Sequence, residues 1–80
     1  MIELDVRDLE HPVPLGLAVE AFKKLSIDEV IHMIHRKEPR PLFEILTKNG
    51  GFYHSVQDVQ GLWHIYISRN SGIDLETFHV

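Results

Sequence analysis

The sequence contains no cysteine. That absence excludes a disulfide staple, a thiolate nucleophile and any cysteine-ligated zinc or iron–sulfur centre. Positive charge is also scarce: 8 Lys and Arg stand against 12 Asp and Glu, a net charge of −4. Such a balance disfavours non-specific binding to nucleic acid or to an anionic membrane, since both depend on neutralising phosphate charge. No uninterrupted apolar run approaches the roughly 20 residues of a membrane-spanning helix. The acidic, alternating start Met1-Ile2-Glu3-Leu4-Asp5 has neither the positive n-region nor the apolar h-region of an export signal. A cytoplasmic protein with no membrane partner and no nucleic-acid partner is expected. Catalytic signatures are missing as well. There is no nucleophile elbow, P-loop, dinucleotide fingerprint or HExxH pair, and no serine has a His and a carboxylate at a spacing that builds a triad. The expectation is a protein that is not an enzyme.

What is present reads as one globular domain spanning residues 1–80, with 44% hydrophobic and 25% charged residues. Ile2, Leu4 and Val6 alternate with Glu3, Asp5 and Arg7, which is a half-buried strand. After a loop at Asp8–Val13, Pro14 suits the first position of a helix, and Leu15, Ala18, Ala21, Phe22 and Leu25 recur at helical spacing. Glu29–Arg36 is a second strand with apolar residues on both faces, Ile31 and Met33 against Val30 and Ile34, as befits an inner strand. Leu42, Phe43, Ile45 and Leu46 form a second helix, stopped by Asn49-Gly50-Gly51. Phe52–Gln57 and Leu62–Arg69 are the last two strands. A loop of Asp58–Gly61 would set Val56 opposite Trp63 and His54 opposite Ile65. Ile73–Val80 is an appended tail, frayed or packed on a neighbour.

The order β-α-β-α-β-β, with right-handed crossovers, predicts an α/β two-layer sandwich: a four-stranded mixed sheet with both helices on one face. The expected core is Leu4, Val6, Ala18, Phe22, Leu25, Ile31, Met33, Leu42, Ile45, Leu46, Phe52, Trp63, Ile65 and Ile67. An internal echo accompanies this order. His11-Pro12-Val13-Pro14-Leu15 and Glu38-Pro39-Arg40-Pro41-Leu42 both read x-Pro-x-Pro-Leu ahead of a helix, a good helix start used twice.

The stretch Leu4-Asp5-Val6-Arg7 through His11-Pro12-Val13-Pro14-Leu15 resembles the Leu-Asp…Leu-x-Cys-Pro-x-Pro opening of the TusA/SirA-like sulfur-carrier proteins, which are small β-α-β-α-β-β domains. Glu38-Pro39-Arg40-Pro41-Leu42, followed by an aromatic strand at Trp63, more closely resembles an uncharacterised branch of that superfamily, catalogued as a domain of unknown function. The likeness covers about residues 2–69. In the sulfur carriers the Cys of Cys-Pro-x-Pro accepts a persulfide, and the matching position here is His11. An imidazole cannot hold a persulfide sulfur, so thiol-based relay is excluded. The resemblance then implies a non-enzymatic binding or accessory module in redox or sulfur metabolism, with the scaffold kept and the thiol lost.

Three groups of residues could carry function. Two parallel strands bring two helix N-termini to one sheet edge, where His11, Glu38 and Arg40 should gather with Arg7, Arg36 and Lys37 nearby. Such an edge suits a small anion or an acidic patch on a partner. The plainer reading pairs Arg40 with Glu38 and leaves His11 lining a loop. The six histidines raise a metal or haem site at His11, or at His32 with His64 across the sheet. His32 and His35, three apart on a strand, face opposite ways, and the expected register does the same to His54 and His64. No particular cofactor or metal is specified. Finally, Val30, His32, Ile34, Tyr53, Ser55, His64 and Tyr66 should lie on the open sheet face, where a protein partner or a second copy of the chain could dock.

Overall fold

The computed structural model describes residues 1–78. His79 and Val80, the end of the expected tail, lie outside the described residues. The elements are β1 (Ile2–Asp5), α1 (Val13–Lys23), β2 (Val30–His35), α2 (Arg40–Lys48), β3 (Phe52–Gln57) and β4 (Trp63–Ser68), followed by a 3-10 turn at Leu75–Thr77. The sheet runs β1-β2-β4-β3, with β1 parallel to β2 and the other pairs antiparallel. This is the expected two-layer α/β sandwich, and β2 is an inner strand as its two-sided apolar pattern required.

Alternation places Ile31 and Met33 of β2 beside Ile65 and Ile67 of β4. All four are fully buried under Ala18 and Phe22 of α1 and Leu42 and Leu46 of α2. Removing each such side chain from water contributes about 1.5–3 kcal/mol. Arg69, just past β4, ties the helix layer down. Its guanidinium lies 4.2 Å from the centre of the Phe22 ring and donates to the Phe22 carbonyl oxygen at 2.9 Å, near the negative end of α1.

The two x-Pro-x-Pro-Leu segments are helix starts. Pro12 and Pro39 immediately precede α1 and α2, while Pro14 and Pro41 occupy the second helical position. There a missing N–H costs nothing. Gly50 closes α2 with φ of 75°, which spares it the Cβ clash of the left-handed region.

Two expectations need correction. The β3–β4 connection is one residue longer than Asp58–Gly61: Gln57 pairs with Trp63, Val56 with His64 and His54 with Tyr66. Asp58 is responsible. Its backbone N–H donates to the Leu62 carbonyl at 2.8 Å, and its Oδ1 accepts from Gln60 and Leu62 N–H. Because facing alternates residue by residue, this slip turns β3 over. Phe52 is consequently 42% exposed instead of joining the core, while Tyr53 lies on the helix side, stacked on Phe43 at 4.1 Å. His54 and His64 now share a face.

The tail is the second correction. It folds back onto its own sheet. Leu75 is buried with Val30 and Tyr66, while Ile73, Phe78 and Val56 pack around them. Three apolar side chains in six residues give the tail enough surface to cover the outer face locally.

Candidate functional site

The two helix starts face each other across a cleft of about 200 Å³ at one edge of the sheet. Pro14 and Leu15 form one wall, while Pro39, Pro41 and Leu42 form the other. His11, His35, Lys37 and Glu38 supply the polar groups. Neither helix has a side-chain cap or an acidic residue in its first turn; the carboxylate that lines the cleft between the two helix starts is Glu38, just ahead of α2.

Of the three residues expected here, His11 and Glu38 line the cleft and Arg40 does not. The Arg40 side chain is 83% exposed and donates from Nε to Glu38 at 3.1 Å. Glu38 also accepts from the Ser55 hydroxyl at 3.5 Å. Arg36 approaches Glu10 at 3.6 Å and Arg7 pairs with Asp5 at 2.9 Å, so Lys37 is the one of the three expected basic neighbours that lines the cleft.

His35 was absent from the expected site. Its signal was available: it shares the helix-side parity of Ile31 and Met33, at the end of β2 that meets the helix starts. The Lys37 backbone N–H donates to His35 Nδ1 at 3.1 Å, which fixes the neutral ring with its proton on Nε2. Burial, followed by the charges of Arg36 and Lys37, holds its pKa below the usual imidazole value. His35 therefore offers an uncharged N–H donor at neutral pH.

Next to this cleft, α1 turns an apolar side outward. The helix reads Val-Pro-Leu-Gly-Leu-Ala-Val before its first charge at Glu20. Val13 is 50% exposed and Leu17 41%. With Val19 and Ile45 they border a shallow groove between α1 and α2. In α2, by contrast, Arg40, Glu44, Thr47 and Lys48 are exposed and Leu42 and Leu46 buried, the ordinary division of a surface helix.

The outer sheet face differs from the expected open surface. Val30, His64 and Tyr66 are buried, His32 and Ile34 are half-buried, and Tyr53 is on the other side. His32 and His64 do meet, and they are joined by two carboxylates. Glu3 Oε1 lies 2.9 Å from His32 Nδ1, His32 Nε2 lies 2.8 Å from His64 Nδ1, and His64 Nε2 lies 2.9 Å from Asp58 Oδ2. Hydrogen bonds from His64 and from the turn amides pull Asp58 below the usual carboxylate pKa. Among the described residues no group of three or more His, Asp or Glu side chains is placed to hold a metal ion, and no helix is long and apolar enough to cross a membrane.

The model of the family of uncharacterized conserved proteins DUF2249 matches residues 3–69. The chain belongs to that family. Among solved structures, this DUF2249 chain is similar to a SirA-like protein from Desulfitobacterium hafniense, with a TM-score of 0.77 and 18% identity over 89% of this chain and 100% of that one. At that identity the likeness shows the fold: a SirA-like sandwich, here without cysteine. No curated protein matches the chain. The family match stops at Arg69, so the segment that covers the outer face lies beyond it.

Proposed function

We propose that this DUF2249 protein is a non-enzymatic accessory module: a sulfur-carrier-like scaffold without the persulfide thiol that docks a protein partner at its His11 edge. The observation that carries this reading is the outward apolar side of α1, with Val13 and Leu17 exposed beside the cleft. The outward side of α1 carries no charge until Glu20, so Val13 and Leu17 leave apolar surface in water beside the cleft, and covering such a patch with a partner is favourable. The partner would contribute an apolar anchor for the α1–α2 groove and an acidic group for the Lys37 side of the cleft, where Lys37 and the His35 N–H stand across from the Glu38 carboxylate, itself paired with Arg40. The tail's cover over Val30 and Tyr66 favours this edge over the outer sheet face as the docking surface. The scaffold's likeness to the sulfur carriers supports a setting in sulfur or redox metabolism.

The test compares proteins captured from the native cell extract by the wild type, Leu17→Glu and His11→Ala. Both sites are exposed, so the variants should fold. The reading expects a partner that the wild type retains and both variants lose. Identical capture by all three would refute it, as would sulfur transfer by the purified protein.

A second reading, a free small anion held in the cleft, is favoured by its enclosure and by the His35 N–H. Calorimetry with sulfate, phosphate and thiosulfate should then show binding that Lys37→Ala weakens. No heat with any of the three at millimolar concentration would remove it.

A further inference from the structure

We infer that Glu3, His32, His64 and Asp58 form a proton-binding site on the outer sheet face. It holds one proton more than two neutral imidazoles carry, and its charge clamps the C-terminal segment.

The inference begins with a count. Ionised carboxylates only accept hydrogen bonds. Glu3 and Asp58 therefore each require a proton on the ring nitrogen they face, His32 Nδ1 and His64 Nε2. The contact between His32 Nε2 and His64 Nδ1 requires one more. Three protons are needed, and two neutral rings bring two. The chain is complete only as an imidazolium shared between His32 and His64. A further proton would set two N–H groups head to head. One fewer would leave two lone pairs facing each other at 2.8 Å.

The ring geometry fits a proton and not a metal ion. The ring centres are 5.1 Å apart and their planes differ by 18°. An imidazole nitrogen lies about 1.1 Å from its ring centre, so the 2.8 Å contact runs nearly along the line of centres, the straight arrangement a hydrogen bond prefers. A bridging metal would need about 2.0–2.1 Å to each nitrogen, hence nearly 4 Å along that line.

The surroundings favour the extra charge. On β1, Asp5 is paired with Arg7 at 2.9 Å. On β4, Tyr66 is uncharged, its hydroxyl pKa raised by burial and by Glu3. His54 of β3 shares this face. The 3-10 turn packed against β3 and β4 brings Asp74, which caps its own turn, and Glu76. Within the chain itself, two negative carboxylates face a single positive charge.

The same charge reaches the tail through Tyr66. The Tyr66 ring stacks on His32 at 4.8 Å and 9°, and on Phe78 at 5.1 Å and 16°. A cation against the tyrosine face strengthens that stack. Losing the shared proton should loosen Phe78 and Leu75 and uncover Val30 and Tyr66.

Glu3→Gln separates proton from contact. A glutamine amide can turn its NH2 toward His32 Nδ1, so the chain is satisfied with two ring protons. Asp58→Asn does the same from the other end and serves should the first variant fail to fold. Nitrogen-15 NMR of the full chain counts the ring protons, and hydrogen exchange reads the amides of residues 75–78. The wild type should show three ring N–H protons, with one shared, and both rings should lose it in a single step as pH rises. At that step tail protection should fall about two- to fivefold relative to β4 amides. Glu3→Gln should show two ring protons and the weaker protection throughout. Two ring protons in the wild type, independent titration of the rings, or tail protection that ignores the step would each overturn the inference.

Discussion

Gly51 offers a sharp test of how the helix layer is seated on β3. A Cβ at this position would fall 2.8 Å from Phe22 Cζ, 2.9 Å from Cε1 and 3.0 Å from the Leu46 carbonyl oxygen. Neither neighbour yields easily. Phe22 is 3% exposed and held under the Arg69 guanidinium, and the Leu46 oxygen already accepts from the Gly51 N–H at 2.7 Å. Overpacking of this kind costs about 1–3 kcal/mol. Reduced freedom of the unfolded chain returns about 0.4–1 kcal/mol, because Gly51 is outside the positive-φ region. The steric cost wins, so Gly51→Ala should destabilise by about 1–2 kcal/mol. With a urea slope of about 1 kcal/mol/M for a protein this small, the unfolding midpoint should fall by about 1–2 M. In a Phe22→Leu background the loss should drop below about 0.5 kcal/mol, exposing the coupling as a double-mutant cycle. An unchanged or raised midpoint for Gly51→Ala alone would refute the claimed contact.

Other perturbations probe the cleft and the tail. His35 has a folded-state pKa below the ordinary 6.5, first through burial and then through Arg36 and Lys37. On acidification the unfolded chain takes this proton first, so stability is lost as pH falls from about 6.5 through the lower folded value. His35→Gln, which keeps an acceptor for Lys37 N–H, should flatten urea midpoints across that window; a pH profile parallel to the wild type would contradict it. Asp58 has the same direction of shift but is an acid. Its contribution is present above the ordinary carboxylate pKa and disappears as pH drops through the lower folded value. Asp58→Asn should make acid unfolding shallower, and an identical acid limb would count against the His64 contact. Leu75→Ala should cost about 1–2 kcal/mol in urea unfolding, less than a central core deletion, because a terminal segment can partly close over the gap. No loss would mean that the tail is not seated on the sheet.

Much of the fold was legible because short-range rules agreed with one another. Alternation at Ile31-Met33 and Ile65-Ile67 assigned core faces without any knowledge of partners, and the proline pairs marked both helix starts. The candidate edge was legible in part. His11 and Glu38 follow from chain order, and His35 follows from the parity of β2, yet Arg40 pairs outward because Glu38 sits two residues away in reach of its guanidinium. The β3 register was not legible. Phe52 and Val56 on one side and Tyr53 on the other give that strand no strong preference, so Asp58 and the length of its turn decided which side faces the helices.

The sequence alone determined the order of elements, the central helix-side core and the impossibility of thiol chemistry, because each depends on residue identity or on periodicity along a few neighbouring positions. Tertiary structure decided the rest. Only folding brings Glu3, His32, Asp58 and His64 into one line from separate strands and a turn, lays Leu75 and Phe78 over Tyr66, and faces two helix starts across a cleft. These contacts depend on register and on how far a loop or tail can reach, which are properties of the whole chain's packing.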